Sequence, residues 1–128
     1  MKRKTEQLLA KAQEAIEAAE LLLKGGKNDF AAGRAYAMFY TAEALLFEEG
    51  LEYRKHSGVH AAFGKHFVKT ALLDTKFHRY LLEAFECRLE ADYGVEARLG
   101  ESVVKELIRR AEEFLATART YLEAKEGR

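Results

Sequence analysis

The sequence predicts an all-α protein, a five-helix, up-and-down bundle in a single domain over residues 1–128. Three observations predict it. Apolar side chains recur at three- and four-residue steps through five stretches, the spacing of one helix face. No stretch alternates apolar and polar residues as a half-buried strand would. Links of a few residues, most of them marked by glycine, separate the stretches, which suits short connections between antiparallel neighbours.

The first helix, 3–24, carries Leu8, Leu9, Ala12, Ile16, Ala19, Leu22 and Leu23 on one side and Lys4, Lys11, Glu14, Glu17 and Glu20 on the other. Gly25-Gly26 stops it. The second, 29–49, takes Asn28 or Asp29 as its cap. Phe30, Tyr36, Phe39, Tyr40 and Phe47 surround it together with Met38, Leu45 and Leu46, so it should be the most buried helix. Gly33 interrupts that apolar surface; glycine costs a helix about 1 kcal/mol relative to alanine, which suggests close approach of another backbone. Arg34 lies one turn after Phe30 and one before Met38, on an apolar stripe. A charge there needs either a buried carboxylate partner, Asp92 or Glu43, or a ligand. After a connector, 51–57, Ser57 caps a third helix, 58–71, with Val59, Ala62, Phe63, Phe67, Val68 and Leu72 inward. Asp74 or Thr75 caps the fourth, 75–93, with Tyr80, Leu81, Ala84 and Phe85 in the core. Gly100 and Glu101-Ser102 introduce the fifth, 101–125, whose stripe is Val104, Leu107, Ala111, Phe114, Leu115, Ala118 and Leu122. Its tail, 126–128, is expected to fray.

With 48% hydrophobic residues the chain can build a real core without staples. Its one cysteine, Cys87, excludes an internal disulfide, fits a reducing compartment and reads as a packing residue. The start, Met1-Lys2-Arg3-Lys4, leads into an amphipathic stretch, and no apolar run approaches the roughly 18 residues of a membrane span, so a cytoplasmic location is expected. Net charge is zero, but unevenly spread: residues 51–80 hold 6 basic against 2 acidic side chains, and all four histidines, His56, His60, His66 and His78. That segment is either ordinary surface or a basic wall for a phosphate-bearing ligand. Few amides, no proline and 33% charged residues lean toward a thermophile. His56 and His60 could share a metal only if both were helical, and His56 precedes the expected cap, so no metal is assigned; no Cys/His zinc spacing or phosphate loop appears, and no cofactor is implied.

The fourth helix holds the most informative stretch. Phe77, Leu81 and Ala84/Phe85 set an apolar face that continues into Arg88 and Asp92, followed by Tyr93 and Gly94. A face that turns from apolar to guanidinium and carboxylate is leaving the core or lining a cleft. Arg88 and Asp92 stand at i and i+4, close enough to pair. A guanidinium oriented by a carboxylate suits phosphate recognition. Tyr93 adds a ring and a hydroxyl; the plainer alternative is a helix-end ion pair beside a core tyrosine.

Four motifs in order carry a resemblance: Gly33 to Tyr40, Lys55-His56-Ser57-Gly58-Val59, Phe63 to Phe67, and Arg88-Leu89-Glu90-Ala91-Asp92-Tyr93. Over residues 5–122 the chain resembles the small stand-alone prokaryotic branch of the HEPN domain family. The resemblance implies a helical bundle that dimerises or forms a higher homo-oligomer, and a nucleotidyltransferase partner in a toxin–antitoxin-like module. Many members are metal-independent ribonucleases whose signature is arginine, four to six residues, then histidine. Here Arg88 matches the arginine, but the histidine positions hold Tyr93, Gly94 and Val95. Arg54 and His60 have the spacing by chance, in the wrong helix connection. Tyrosine, with an unperturbed pKa near 10, is a poor base at neutral pH, whereas histidine is suited to the task.

The expectation is therefore a binding module. Arg34, His56, Lys65, Arg88, Asp92 and Tyr93 are the candidates for holding nucleotide or RNA phosphate. The competing readings are a divergent ribonuclease, with Arg88 and Tyr93 as catalytic candidates and His56 or His66 supplied by folding or by a second protomer, and a structural oligomerisation module in which Arg34 and Asp92 pair in the core.

Overall fold

The structure is a computed structural model and describes residues 1–94 and 98–127. It is all-helical, with no strand among the described residues. The α-helices are α1 (Arg3–Lys24), α2 (Asn28–Ala35), α3 (Met38–Glu48), α4 (His56–Phe63), α5 (Lys76–Tyr93) and α6 (Glu101–Glu126). A π-helical turn, Gly64–Val68, continues α4. Since α2 and α3 are two halves of one interrupted rod, the bundle has the five helices expected.

The interruption lies at Tyr36 and Ala37, whose backbone stays near helical values (φ −70°, ψ 18° and φ −54°, ψ −21°). Three-residue hydrogen bonds replace four-residue ones there, from Tyr36 and Ala37 N–H to the carbonyls of Gly33 and Arg34. The change of step begins at the carbonyl of Gly33, the residue with the poorest helix propensity in the segment. It rotates the residues of α3 relative to those of α2, and a 29–49 continuous helix does not form. Gly33 itself meets no backbone: a Cβ built on it would lie 3.8 Å from the Asp92 carboxylate.

Other boundaries shift for local reasons. Asn28 and Asp29 do not cap α2. The Asn28 amide donates to the Leu99 carbonyl (3.0 Å) and the Asp29 carboxylate accepts from the Leu99 N–H (2.9 Å), which ties the chain before α6 onto the start of α2. Helix α4 starts at His56, so Ser57 lies inside its first turn and provides no cap. The third helix ends at Val68, three residues before the expected boundary, and Ala71 takes a left-handed φ of 61°. Leu73 is buried in place of Leu72, which is 50% exposed. Asp74 does serve α5, accepting from the Lys76 N–H at 2.9 Å. Gly26 (φ 77°) and Gly50 (φ 80°) close α1 and α3 in left-handed conformations that a side chain would strain. The last helix runs through Glu126, longer than the frayed tail expected; Arg128 and Val95 lie outside the described residues.

α1 packs against α2, α3 and α6, and α2 packs in turn against α5 and α6. The centre is aromatic: Phe114 stacks on Phe77 (5.1 Å between ring centroids, 18° between planes) and meets Phe63 edge-on at 5.3 Å. An ion-pair network fastens the α5–α6 surface. The Arg110 guanidinium bonds Glu83 at 2.5 Å and Glu106 at 2.9 Å over the Tyr80 ring, and Lys76 bonds Glu113 at 2.6 Å. No helix among the described residues is long and apolar enough to cross a membrane.

Phe114 is fully buried, so Phe114→Ala leaves a cavity at the junction of α4, α5 and α6. It should lower unfolding free energy by about 3–5 kcal/mol, read from the shift of the denaturant midpoint.

Candidate functional site

A cavity of about 580 Å³, open to solvent, lies where the interrupted rod faces α4 and α5. It is built from the features that break the regular bundle. α2 contributes Gly33 and Arg34, the junction contributes Tyr36 and Ala37, α4 contributes His56, and the last turns of α5 contribute Arg88 and Asp92. Gly33 keeps the floor of the cleft low beside Asp92. The apolar face of α5 has by this point left the core, and its continuation comes to rest in the cavity wall.

Arg34, His56, Arg88 and Asp92 are thus brought together. Lys65 and Tyr93 are not. Lys65 is exposed on the π-helical turn, nine residues past His56, or about 13 Å along a helical axis. Tyr93 is 79% exposed at the end of α5 and lines neither cleft nor core. The basic segment 51–80 contributes only His56 to the cavity wall; Arg54, Lys55, Lys65 and Lys69 face solvent elsewhere.

Arg34 is exposed rather than buried, and no carboxylate among the described residues forms an ion pair with it. This corrects the buried Arg34–Asp92 or Arg34–Glu43 pair. Arg88 reaches Asp92 through Nε at 3.4 Å, with both side chains roughly 40% exposed (39% and 43%), a long contact in water that is worth little by itself. Its guanidinium lies over the Tyr36 ring, 5.5 Å from the centroid, which orients it. The cleft lining therefore carries two guanidinium groups and a single carboxylate loosely held by one of them.

Beside Arg88 the lining is aromatic. The His56 ring packs against Phe39 (4.3 Å), Phe85 (5.4 Å, 24°) and Tyr36 (5.5 Å, 27°). Its Nδ1 is 3.0 Å from the Tyr36 hydroxyl, and the same hydroxyl is 2.6 Å from Nε2 of His60. Because α4 starts at His56, these histidines stand one turn apart on a helix and meet on the tyrosine oxygen. Burial raises the Tyr36 pKa, partly offset by Arg88, so the phenol keeps its proton. Burial, then His56 and His78, pushes His60 down to about 4. Burial and then Arg88 lower His56 as well. All three groups are neutral at pH 7. Cys87 is half-buried, and its thiol is raised by burial and by the acidic side chains of its own helix, which makes it a poor nucleophile.

Sequence reasoning assigned Tyr36, Phe39 and Phe85 to packing and weighed His60 only as a metal partner of His56, so none of them was named for the cleft. Tyr36 and His56 are 20 residues apart, so no local spacing reveals their hydrogen bond. The available signal was the pair of histidines at i and i+4 beside a tyrosine-bearing aromatic helix.

A buried neutral His60 makes stability depend on pH. Its folded pKa of about 4 lies below the unfolded value near 6.5, so between these values the unfolded chain binds the extra proton. The stabilisation is present above about pH 6.5 and is lost as pH falls toward about 4. His60→Gln, which keeps an acceptor for Tyr36, should flatten the stability profile between pH 7 and 4, measured by denaturant titration at a series of pH values. Glu43, whose carboxyl is raised by burial, opposes the trend in both proteins and cancels in the comparison.

The HEPN domain family matches residues 5–125. Two proteins of Methanocaldococcus jannaschii named "putative toxin" are similar to this chain. One is 37% identical over 125 residues, covering 97% of this chain and 85% of the relative; the other is 32% identical over 109 residues, covering 84% and 81%. A UPF0332 protein of Thermotoga maritima is 42% identical over 106 residues, covering 82% of this chain and 80% of its own.

Proposed function

This chain belongs to the HEPN domain family, and from that premise we propose that it is a toxin-type member whose open cleft binds the phosphate of a nucleotide or RNA through Arg34 and Arg88. The observation that carries the reading is the pairing state of these two side chains. Arg34 has no carboxylate partner among the described residues, and Arg88 has only a long, exposed one. A phosphate between them would gain charge-assisted hydrogen bonds from both guanidiniums at little cost in existing contacts. His56 and the aromatic wall would flank a sugar or base.

The assembly proposed with it is a homo-oligomer. Leu21 (72% exposed), Phe30 (69%) and Tyr93 (79%) lie next to or among the residues that line the cleft, which is where a second copy would gain most by docking. A nucleotidyltransferase partner is proposed from the family resemblance, and action in the cytoplasm from the single cysteine and the lack of a long apolar run; co-purification of the two proteins tests the partner.

A metal-independent ribonuclease is the second reading, and His56 favours it. The Arg88 motif lacks its histidine, but the fold brings His56 into the same cleft from α4, unprotonated near neutral pH. In this reading His56 would serve as the general base that the linear spacing lacks.

Calorimetric titration with a short RNA at low salt tests the binding reading. Arg88→Ala and Arg34→Ala should each weaken binding and each lower the slope of log affinity against log salt by about one. Unchanged affinity and slope in both variants would remove this site. For the second reading, the wild type should cleave RNA in the presence of a chelator and His56→Ala should not; an intact substrate after incubation with wild type would eliminate it.

A further inference from the structure

Helix α2 carries Gly33 and Arg34 to the cleft, yet its packing does little to set its register. Its buried side chains are Ala31, Ala32 and Ala35, and its one large apolar residue, Phe30, is 69% exposed. Methyl groups let neighbouring helices come close, but each buries little area and none makes a ridge that interlocks with a groove. The element has only eight residues, with a joint at each end. Before it the chain turns at Gly26, in a left-handed conformation (φ 77°); after it the four-residue hydrogen-bond step gives way to three at Tyr36 and Ala37. The start of α2 is held by a grip on a single residue. The Asn28 amide donates to the Leu99 carbonyl at 3.0 Å, and the Asp29 carboxylate accepts from the Leu99 N–H at 2.9 Å, both in partly buried surroundings. Two bonds to the backbone of one residue resist sliding and rolling together, and the bond to a carboxylate is charge-assisted.

We propose that Asn28 and Asp29 are positioning residues for the cleft: by gripping Leu99 they fix α2 in the place from which Arg34 meets the same phosphate as Arg88. This rests on the reading that one phosphate is held by both guanidiniums, and it adds what keeps the two in register. Arg34 lies five residues beyond Asp29, about 7.5 Å along the helix, with the Tyr36–Ala37 joint just past it. Releasing the start of α2 frees it to shift about that joint, and Arg34 moves with it. Arg88 stays, because α5 is anchored separately, by Phe77, Tyr80, Leu81 and Ala84 in the core and by Glu83 bonded to Arg110 at 2.5 Å. The sign of the effect separates this role from a purely electrostatic one. Removing a carboxylate from the neighbourhood of a phosphate strengthens binding of the anion. Loosening the grip weakens it.

Affinity for a short RNA at low salt is measured for Asp29→Ala, Asn28→Ala and Asp29→Asn, each alone and combined with Arg34→Ala. Asp29→Ala and Asn28→Ala should each weaken binding by about threefold or more, as expected when the competent arrangement falls to about a third of the population or less. Each tests one half of the grip, so either serves if the other fails to fold. The loss should vanish in the Arg34→Ala background, where α2 has no guanidinium left to misplace. Asp29→Asn keeps an acceptor oxygen for the Leu99 N–H and should bind at least as well as wild type. Amide hydrogen exchange gives a readout that needs no ligand: protection of Leu99 and of α2 should drop in Asp29→Ala and return in Asp29→Asn, with the middle of α6 unchanged. Unweakened binding in Asp29→Ala and Asn28→Ala, a loss that persists without Arg34, or an Asp29→Asn variant as weak as Asp29→Ala would overturn the inference. An Arg34→Ala variant that binds as tightly as wild type would instead remove the phosphate reading, while faster α2 exchange in Asp29→Ala would still uphold the grip.

Discussion

Two guanidinium groups, those of Arg34 and Arg88, line one open cleft with a single loosely held carboxylate, Asp92, beside them. This is the condition on which the rest of the structure depends. Charges of like sign repel weakly where water reaches them, so an open cleft tolerates the arrangement and a core would not. Arg34 and Arg88 satisfy it by standing on different helices, α2 and α5, whose opposite faces are in the core. Asp92 offsets part of the charge, but at 3.4 Å and in solvent its hold on Arg88 is easily exchanged for a better acceptor. Packing that looks remote, such as the Phe63–Phe114–Phe77 contacts beneath α5, matters because it fixes the rod that carries Arg88.

Beside Arg88 the physical logic reverses. His56, Tyr36 and His60 are neutral because burial penalises their charged forms, and they satisfy one another through a single phenolic oxygen. Breaking the rod at Tyr36 and Ala37 costs regular hydrogen bonds, but it sets Tyr36 where its hydroxyl meets both rings and its face lies under Arg88. Two guanidiniums and a neutral hydrogen-bonded cluster thus line one cavity of about 580 Å³.

Much of the bundle was legible in the residues. Helix faces follow from the three- and four-residue recurrence, and the polar continuation of the α5 face, Phe77, Leu81, Ala84, then Arg88 and Asp92, does enter a cleft. What was illegible depends on contacts distant in the chain. Arg34 sits at a core-like spacing, yet it emerges exposed because it shares the outer face of α2 with Phe30, itself 69% exposed, while the interruption that follows turns Met38 into the core. His56 looked like a residue before a helix because Ser57 resembles a cap; the helix starts one residue earlier without side-chain capping. Asn28 and Asp29 have the chemistry of caps and are used instead to hold Leu99. Charge totals misled in the same way: the basic run 51–80 is rich in cations, yet helical geometry turns only His56 into the cavity.

The central claim is that Arg34 and Arg88 act on one bound phosphate. A double-mutant cycle measures it directly, with the affinity of wild type, Arg34→Ala, Arg88→Ala and the double variant for one short RNA at a single low salt concentration. If both guanidiniums hold the same group, the losses are coupled, with an interaction energy above about 0.5 kcal/mol. Losses that add to within about 0.3 kcal/mol would mean two independent charges on a surface and no shared site.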